Sequence, residues 1–149
     1  MSKFELQIAA FNKKTKKVAE KIVRGSALTI FSAVVKRTPV GNKDNWLYPE
    51  LAPEGYAGGR LRANWQIGIG FRPLDKLDKL DKSGGVTIKN AGSGLGRYRL
   101  GAEIYIMNNL EYAAAVENGS SKQAPYGMVK VTVTEWNHII AMKVRENKS

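Results

Sequence analysis

The stretch SALTIFSAVVKRTP, residues 26–39, decides the fold. Over residues 27–35 nearly every side chain is apolar or small, which indicates a helix buried on several sides. Pro39 ends this helix, because the residue before a proline disfavours the helical conformation. Apolar residues upstream recur at helical spacing, so we predict helix over residues 4–37, as one helix or as two joined near Asn12. The recurring positions are Phe4, Ile8, Phe11, Val18, Ile22 and Gly25.

A long loop follows, over residues 39–60, where prolines, glycines and asparagines interrupt any regular element. Four large apolar side chains nevertheless lie in this loop: Trp46, Tyr48, Leu51 and Tyr56. A purely solvated linker would not normally hold them. We therefore expect the loop to pack on its own domain or on a neighbouring subunit.

The remaining pattern predicts a small sheet and further helices. Alternation of large apolar residues predicts one strand within residues 60–71 and a second at 103–107, with an exposed Leu-Asp-Lys loop at 74–82 between them. Residues 86–89 begin a strand or a helix, and Gly92, Gly94 and Gly96 predict a flexible stretch. A short helix at 108–118, capped by Asn108 or Asn109 and followed by Gly119, precedes a helix from about Gly127 to Val144. The fold class is α+β: a long N-terminal helix and C-terminal helices packed on a small, mainly antiparallel sheet. We expect one domain, 1–149, with an inserted loop at 40–59 and a flexible loop at 72–85.

Charge points to an acidic or polyanionic partner. The chain carries a net charge of +11, and residues 1–37 hold nine lysines and arginines against two glutamates. Such an excess suits nucleic acid, a membrane surface or an acidic protein face, and it equally suits a solvated helix face. No apolar run is long enough to cross a bilayer, and Met1–Gln7 lacks the apolar core of a signal peptide, so we expect a soluble intracellular protein without membrane contact.

Nothing in the sequence indicates an enzyme. The chain has no cysteine and a single histidine, His138, which excludes thiolate chemistry and any metal site built from several histidines or cysteines. The glycines at 92–96 lack the spacing and the Lys-Ser/Thr pair of a phosphate-binding loop. We therefore predict no catalytic residue, no cofactor and no metal.

Arg60, Arg62 and Trp65 form a basic and aromatic cluster that permits two interpretations. Charge and stacking suit a nucleic-acid strand. Alternatively the arginines pair with carboxylates at a protein interface while Trp65 lies in the core, since arginine and aromatic residues are enriched at interfaces. The second interpretation is preferred because of a family resemblance.

Four segments in order carry this resemblance. They are VKRTPVG at 35–41, GGRLRANWQ at 58–66, IYIMNNLEYA at 104–113 and VENGSSKQAPYGMV at 116–129. With this order and spacing the chain resembles the neck or tail-completion family of tailed bacteriophages, minor tail components related to the phage lambda minor tail protein Z group. Two departures affect local geometry: residues 42–57 are inserted, and residues 92–96 are glycine-rich where relatives are more helical.

The resemblance implies a structural virion protein rather than an enzyme. It would form a homo-oligomeric ring in the neck, assembled in the bacterial host cytoplasm, that joins the head connector or adaptor to the tail terminator around the genomic DNA. A hexamer, which matches tail symmetry, is preferred to a dodecamer, which would match the connector. The alternative function is a small basic nucleic-acid-binding protein. The candidate subunit-interface residues are Trp46, Tyr48, Tyr56, Arg60, Arg62, Tyr112, Glu117, Lys122 and Tyr126.

Overall fold

The computed structural model describes residues 2–45 and 47–148. Six α-helices and two strands follow one another along these residues. In chain order they are α1 (Lys3–Arg37), α2 (Arg60–Ala63), β1 (Trp65–Ile69), α3 (Gly85–Leu95), β2 (Ile104–Asn108), α4 (Ala113–Glu117), α5 (Val129–Thr134) and α6 (Trp136–Glu146). Two short 3-10 helices, Lys43–Asn45 and Pro49–Leu51, interrupt the loop between α1 and α2. The α+β prediction is confirmed.

The long N-terminal helix is a single uninterrupted element, which settles the choice between one helix and two. Ser2 and Glu5 form a reciprocal capping box at its start, and the chain leaves the helical conformation at Thr38. Its second half supplies the centre of the core, where Phe31, Val34 and Val35 are almost fully buried. Helices α3, α5 and α6 pack on α1.

The sheet consists of β1 and β2 paired antiparallel, with Trp65 opposite Asn108 and Ile69 opposite Ile104. Trp65 belongs to the same buried cluster as Phe31 and Val35 of α1. The antiparallel strand pair predicted from the alternation is confirmed.

The glycine-rich stretch at 92–96 is helical in its first four residues, so the expected flexible segment there is wrong. A β-carbon at Gly92 would lie 3.6 Å from Leu28 of α1, and one at Gly94 would lie 3.7 Å from Ile67 of β1. Both distances are ordinary van der Waals contacts, so neither position requires glycine for the packing of α3, and burial of Ala91 and Leu95 offsets the low helix propensity of the glycines.

Two helix boundaries also differ from the sequence prediction. Helix α4 begins at Ala113, not near Asn108, because Asn108 pairs within the sheet and donates its side-chain amide to the carbonyl of Leu61 at 2.9 Å. The last predicted helix is divided in two at Glu135, whose carboxylate lies 2.6 Å from Arg37. The predicted Gly119 helix stop is confirmed by its left-handed backbone, with φ of 91°.

The segment predicted as a loop at 72–85 has no helix or strand before Gly85. Its backbone is nevertheless tied to the domain: the Asn64 amide group accepts from the N–H and donates to the carbonyl of Leu77, at 2.7 and 3.0 Å. The Asp81 carboxylate accepts from the N–H groups of Gly84 and Thr87 at the start of α3. Burial opposes ionisation of Asp81, but these bonds outweigh it and hold the pKa of the carboxyl below its usual value.

Candidate functional site

The C-terminal end of α1 is the point at which the distant segments of the chain meet. Trp65 donates its indole N–H to the Thr38 hydroxyl at 2.7 Å, and that hydroxyl donates to the Val34 carbonyl at 2.7 Å. Both Thr38 and Trp65 are buried. A tryptophan N–H in an apolar core needs such a partner. The threonine before Pro39 is therefore a core residue.

Arg62 secures the same helix end from outside the core. Its guanidinium donates to the carbonyls of Lys36, Thr38 and Lys82. A helix leaves its last carbonyls without partners and places partial negative charge there, so a planar cation with several donors fits the position. Arg62 thus acts within the chain, whereas Arg60, two residues earlier, is exposed.

Glu117 holds the start of α5. One carboxylate oxygen accepts from the N–H groups of Met128 and Val129, at 2.8 and 2.9 Å, and the other accepts from Lys130 at 2.9 Å. Burial opposes ionisation, but the three donors and the charge of Lys130 outweigh it and hold the pKa of Glu117 below its usual value. Like Arg62, this interface candidate has a structural role inside the chain.

Hydrogen bonds join all four of the segments that carry the family resemblance. Thr38 in the first segment binds Trp65 in the second. In the second segment, the carbonyl of Leu61 accepts a hydrogen bond from the side-chain amide of Asn108 in the third segment. The fourth segment returns to the first, because Gln123 donates to the Val40 carbonyl at 3.3 Å. The four segments therefore form one structural unit.

A broad groove opens beside this unit, with a volume of about 1000 Å³. We call it the loop groove. Four of the interface candidates line it: Tyr56, Arg60, Tyr112 and Lys122. Burial raises the pKa of Tyr112, the positive charge of Arg60 opposes this rise, and Tyr56 adds to it, so these three side chains influence one another. The apolar walls of the loop groove are formed by Val40, Leu61, Leu80 and Val116.

The inserted loop forms one rim of the loop groove and is closed at its base. A β-carbon at Gly58 would lie 2.0 Å from the carbonyl oxygen of Gly41, so the two backbones touch. Residues 42–57 therefore leave and re-enter the domain at one point, as in an Ω-loop. Leu47, Tyr48 and Leu51 on this loop are exposed, and Leu47 is 86% exposed.

The other interface candidates are distributed around this region. Tyr126 is 79% exposed and borders a smaller neighbouring pocket that Arg62 also lines. Tyr48 is exposed on the inserted loop. Trp46 lies outside the described residues. Whether these side chains contact another subunit stays a prediction.

The first half of α1 is a surface that the sequence prediction missed. Residues 3–17, which we call the arm, are all exposed, including Phe4 at 70% and Phe11 at 67%. The helical spacing of Phe4, Ile8 and Phe11 predicted helix and places them on one face, and no other element of the described chain covers that face. The lysines at 13, 14, 16 and 17 were the available signal, because so dense a charge is incompatible with burial in one's own core.

The described residues hold no grouping of acidic, histidine or cysteine side chains that could bind a metal. Within the described ranges no helix has the length and apolar character needed to cross a bilayer. Comparison with known proteins finds no matching family model, no similar curated protein and no similar solved structure.

Proposed function

We propose that the chain is a structural subunit of a ring in the neck of a tailed bacteriophage, where it joins the head connector to the tail. The observation that supports this proposal is the set of hydrogen bonds that joins the four resemblance segments around the end of α1. Groups from sequence positions up to 83 residues apart are joined by hydrogen bonds there, which supports treating the four segments as one structural unit.

The exposed surface supports assembly with other protein chains. Apolar side chains are exposed on the arm and on the inserted loop, and the loop groove lies beside the latter. Exposed apolar patches of this kind mark protein contacts. Among its described lining residues the groove contains no carboxylate and no histidine, which suits a binding surface better than acid–base chemistry.

The test has two stages. Light scattering, native mass spectrometry and electron microscopy of the purified chain should find closed rings with a central channel, and the copy number should decide between the preferred hexamer and a dodecamer. An infection in which this gene is disrupted should accumulate DNA-filled heads and separate tails, and the purified protein should restore their joining and the titre of infectious particles. Normal particles from the disrupted infection would refute the proposal.

The second candidate function, a small basic nucleic-acid-binding protein, is favoured by the exposed lysines at 13, 14, 16 and 17. It requires affinity for duplex DNA that falls steeply with salt, with a slope set by the number of phosphates neutralised. A variant with all four lysines replaced by glutamine should then lose most of that slope. Absence of DNA binding by the unaltered chain at low salt would eliminate this candidate.

A further inference from the structure

We propose that the arm of one copy docks in the loop groove of the next copy, so that subunits join head to tail. This inference rests on the proposed ring and names the contact that would close it. The arm is residues 3–17 of α1, and its apolar stripe is Phe4, Ile8 and Phe11. The groove lies at the opposite end of the same helix, beginning at Pro39.

Geometry prevents the arm from filling its own groove. Helix α1 has 35 residues without a break, and at a rise of 1.5 Å per residue it is about 52 Å long. The first residue of the arm is therefore about 50 Å along the axis from the end at which the groove opens. The second half of α1 is fixed in the core, so the helix cannot turn back. Only another molecule's arm can reach the groove.

Apolar surface on the two sides is complementary. The arm stripe follows helical spacing of four and three residues, which places its three side chains on one face. The groove presents Val40, Leu80 and Tyr112 among its walls, and the neighbouring loop exposes Leu47 and Leu51. Docking would remove both surfaces from water. It would also give the inserted loop the neighbouring-subunit contact that its apolar side chains indicate.

Charge is complementary between the arm and the inserted loop at the groove rim, whereas the charged residues of the groove lining itself, Arg60 and Lys122, are positive like the arm. Lys3, Lys14 and Lys17 follow one another at helical spacing along one flank of the arm stripe. The inserted loop at 42–57 carries three exposed carboxylates, Asp44, Glu50 and Glu54, against the single lysine at 43. The arm as a whole has five lysines and one glutamate, so its attraction to this loop is electrostatic as well as apolar.

Pairing of two arms is the competing arrangement, since spacing of four and three residues also suits a coiled coil. Such pairing would bring the flanking lysines of two copies together and would leave the loop groove unfilled. A head-to-tail contact uses both surfaces at once. Because it joins different patches, repetition produces a ring where the rotation closes.

Cysteine cross-linking tests the contact directly, because the chain has no cysteine of its own. Gln7→Cys replaces an exposed residue of the arm, and Ser120→Cys replaces an exposed residue on the groove wall. Ser93→Cys, on the exposed side of α3, is the matched control. Differently tagged single variants are mixed and treated with a flexible bis-maleimide.

The expected product is a heterodimer of the Gln7→Cys and Ser120→Cys chains, at least tenfold more abundant than the heterodimer with Ser93→Cys. The chain carrying both cysteines should give a ladder that ends at the ring's copy number. Two results would overturn the inference: a yield with Ser120→Cys no higher than with Ser93→Cys, or a dominant homodimer of Gln7→Cys. If light scattering still finds rings in either case, only the contact is wrong; if the chain is monomeric throughout, the proposed ring fails too.

Charge reversal provides an independent test. Lys14→Glu with Lys17→Glu on the arm, or Glu50→Lys with Glu54→Lys on the loop, should weaken association at least tenfold. Combining the four changes in one chain should restore it, because opposite charges again face each other. All of these positions are exposed, so folding should be unaffected. Association that the reversed arm leaves unchanged, or a failure of the combined variant to recover, would contradict docking at this loop.

Discussion

Replacing Glu117 by glutamine tests whether a single carboxylate holds the fourth resemblance segment together. The substitution preserves size and removes the charge. In the structure the two carboxylate oxygens accept three backbone N–H groups, from Met128, Val129 and Lys130. The glutamine has one acceptor oxygen, so at least one of these N–H groups would face an amide N–H instead.

The expected cost follows from these bonds. Hydrogen bonds to a charged group contribute about 1.5–3 kcal/mol each, against about 0.5–1.5 kcal/mol for neutral ones. Two bonds would become neutral and lose about 1 kcal/mol each, and the third would be lost. The unfolding free energy should therefore fall by about 4 kcal/mol, and Tm by roughly 8–16 °C for a chain of this length.

Urea unfolding of the two proteins from pH 7 to pH 3 measures the effect. The folded pKa of Glu117 lies below the unfolded value of about 4.3, so the carboxylate stabilises fully above that pH. Its contribution disappears as pH falls through the folded pKa, and the difference between the proteins should shrink accordingly. Glu54→Gln, on the exposed loop, is the control and should change stability by less than about 0.5 kcal/mol. A difference for Glu117→Gln that is equally large at pH 3 would refute the reasoning.

Three further changes test the unit around the end of α1 by chemical unfolding. Arg62→Lys should lower the free energy of unfolding by about 2 kcal/mol, because one ammonium group cannot replace the three guanidinium contacts. Arg60→Lys is the control and should leave the free energy of unfolding almost unchanged. Equal effects of the two substitutions would contradict the contacts of Arg62. Trp65→Phe and Thr38→Val should each destabilise the fold, and a double-mutant cycle should return a coupling of about 0.5–3 kcal/mol, while strict additivity would argue against their hydrogen bond. Replacing residues 42–57 by two glycines should leave a cooperative unfolding transition, since the loop closes at its base; a chain that no longer folds would show that the loop is part of the core.

The sequence was sufficient for the elements that follow from local periodicity. Pro39 ends α1 within one residue of the predicted position, and alternation located both strands. Asn108 was misassigned because its capping preference competed with a place in the sheet, where its amide binds the Leu61 carbonyl. Glycine count similarly predicted flexibility at 92–96, whereas burial of Ala91 and Leu95 in the core overrides the low helix propensity there.

Tertiary roles of the charged residues were beyond the reach of a single sequence. Arg62 and Glu117, predicted at a subunit interface, bind backbone groups that lie distant in the chain and come close only in the fold, while their contact with another subunit stays a prediction. For the arm, periodicity predicted the helix but left its exposure open, and no other element of the described chain covers its apolar face. Periodicity identifies which side chains share a face, and the length of the neighbouring elements decides whether that face is covered.

The continuity of α1 has a consequence for how the arm becomes ordered. An isolated helix of about 15 residues is only marginally formed in water, because initiating the first turn is unfavourable. Here the embedded half of α1 is already helical, so the arm only has to extend an existing helix, and the capping box of Ser2 and Glu5 closes its far end. Backbone amides should therefore exchange hydrogen fastest near Ser2 and progressively more slowly towards Val18. A neighbour bound along the arm would slow hydrogen exchange at every amide it covers and flatten that gradient. The exchange rates of the arm's amides therefore report whether two subunits are in contact.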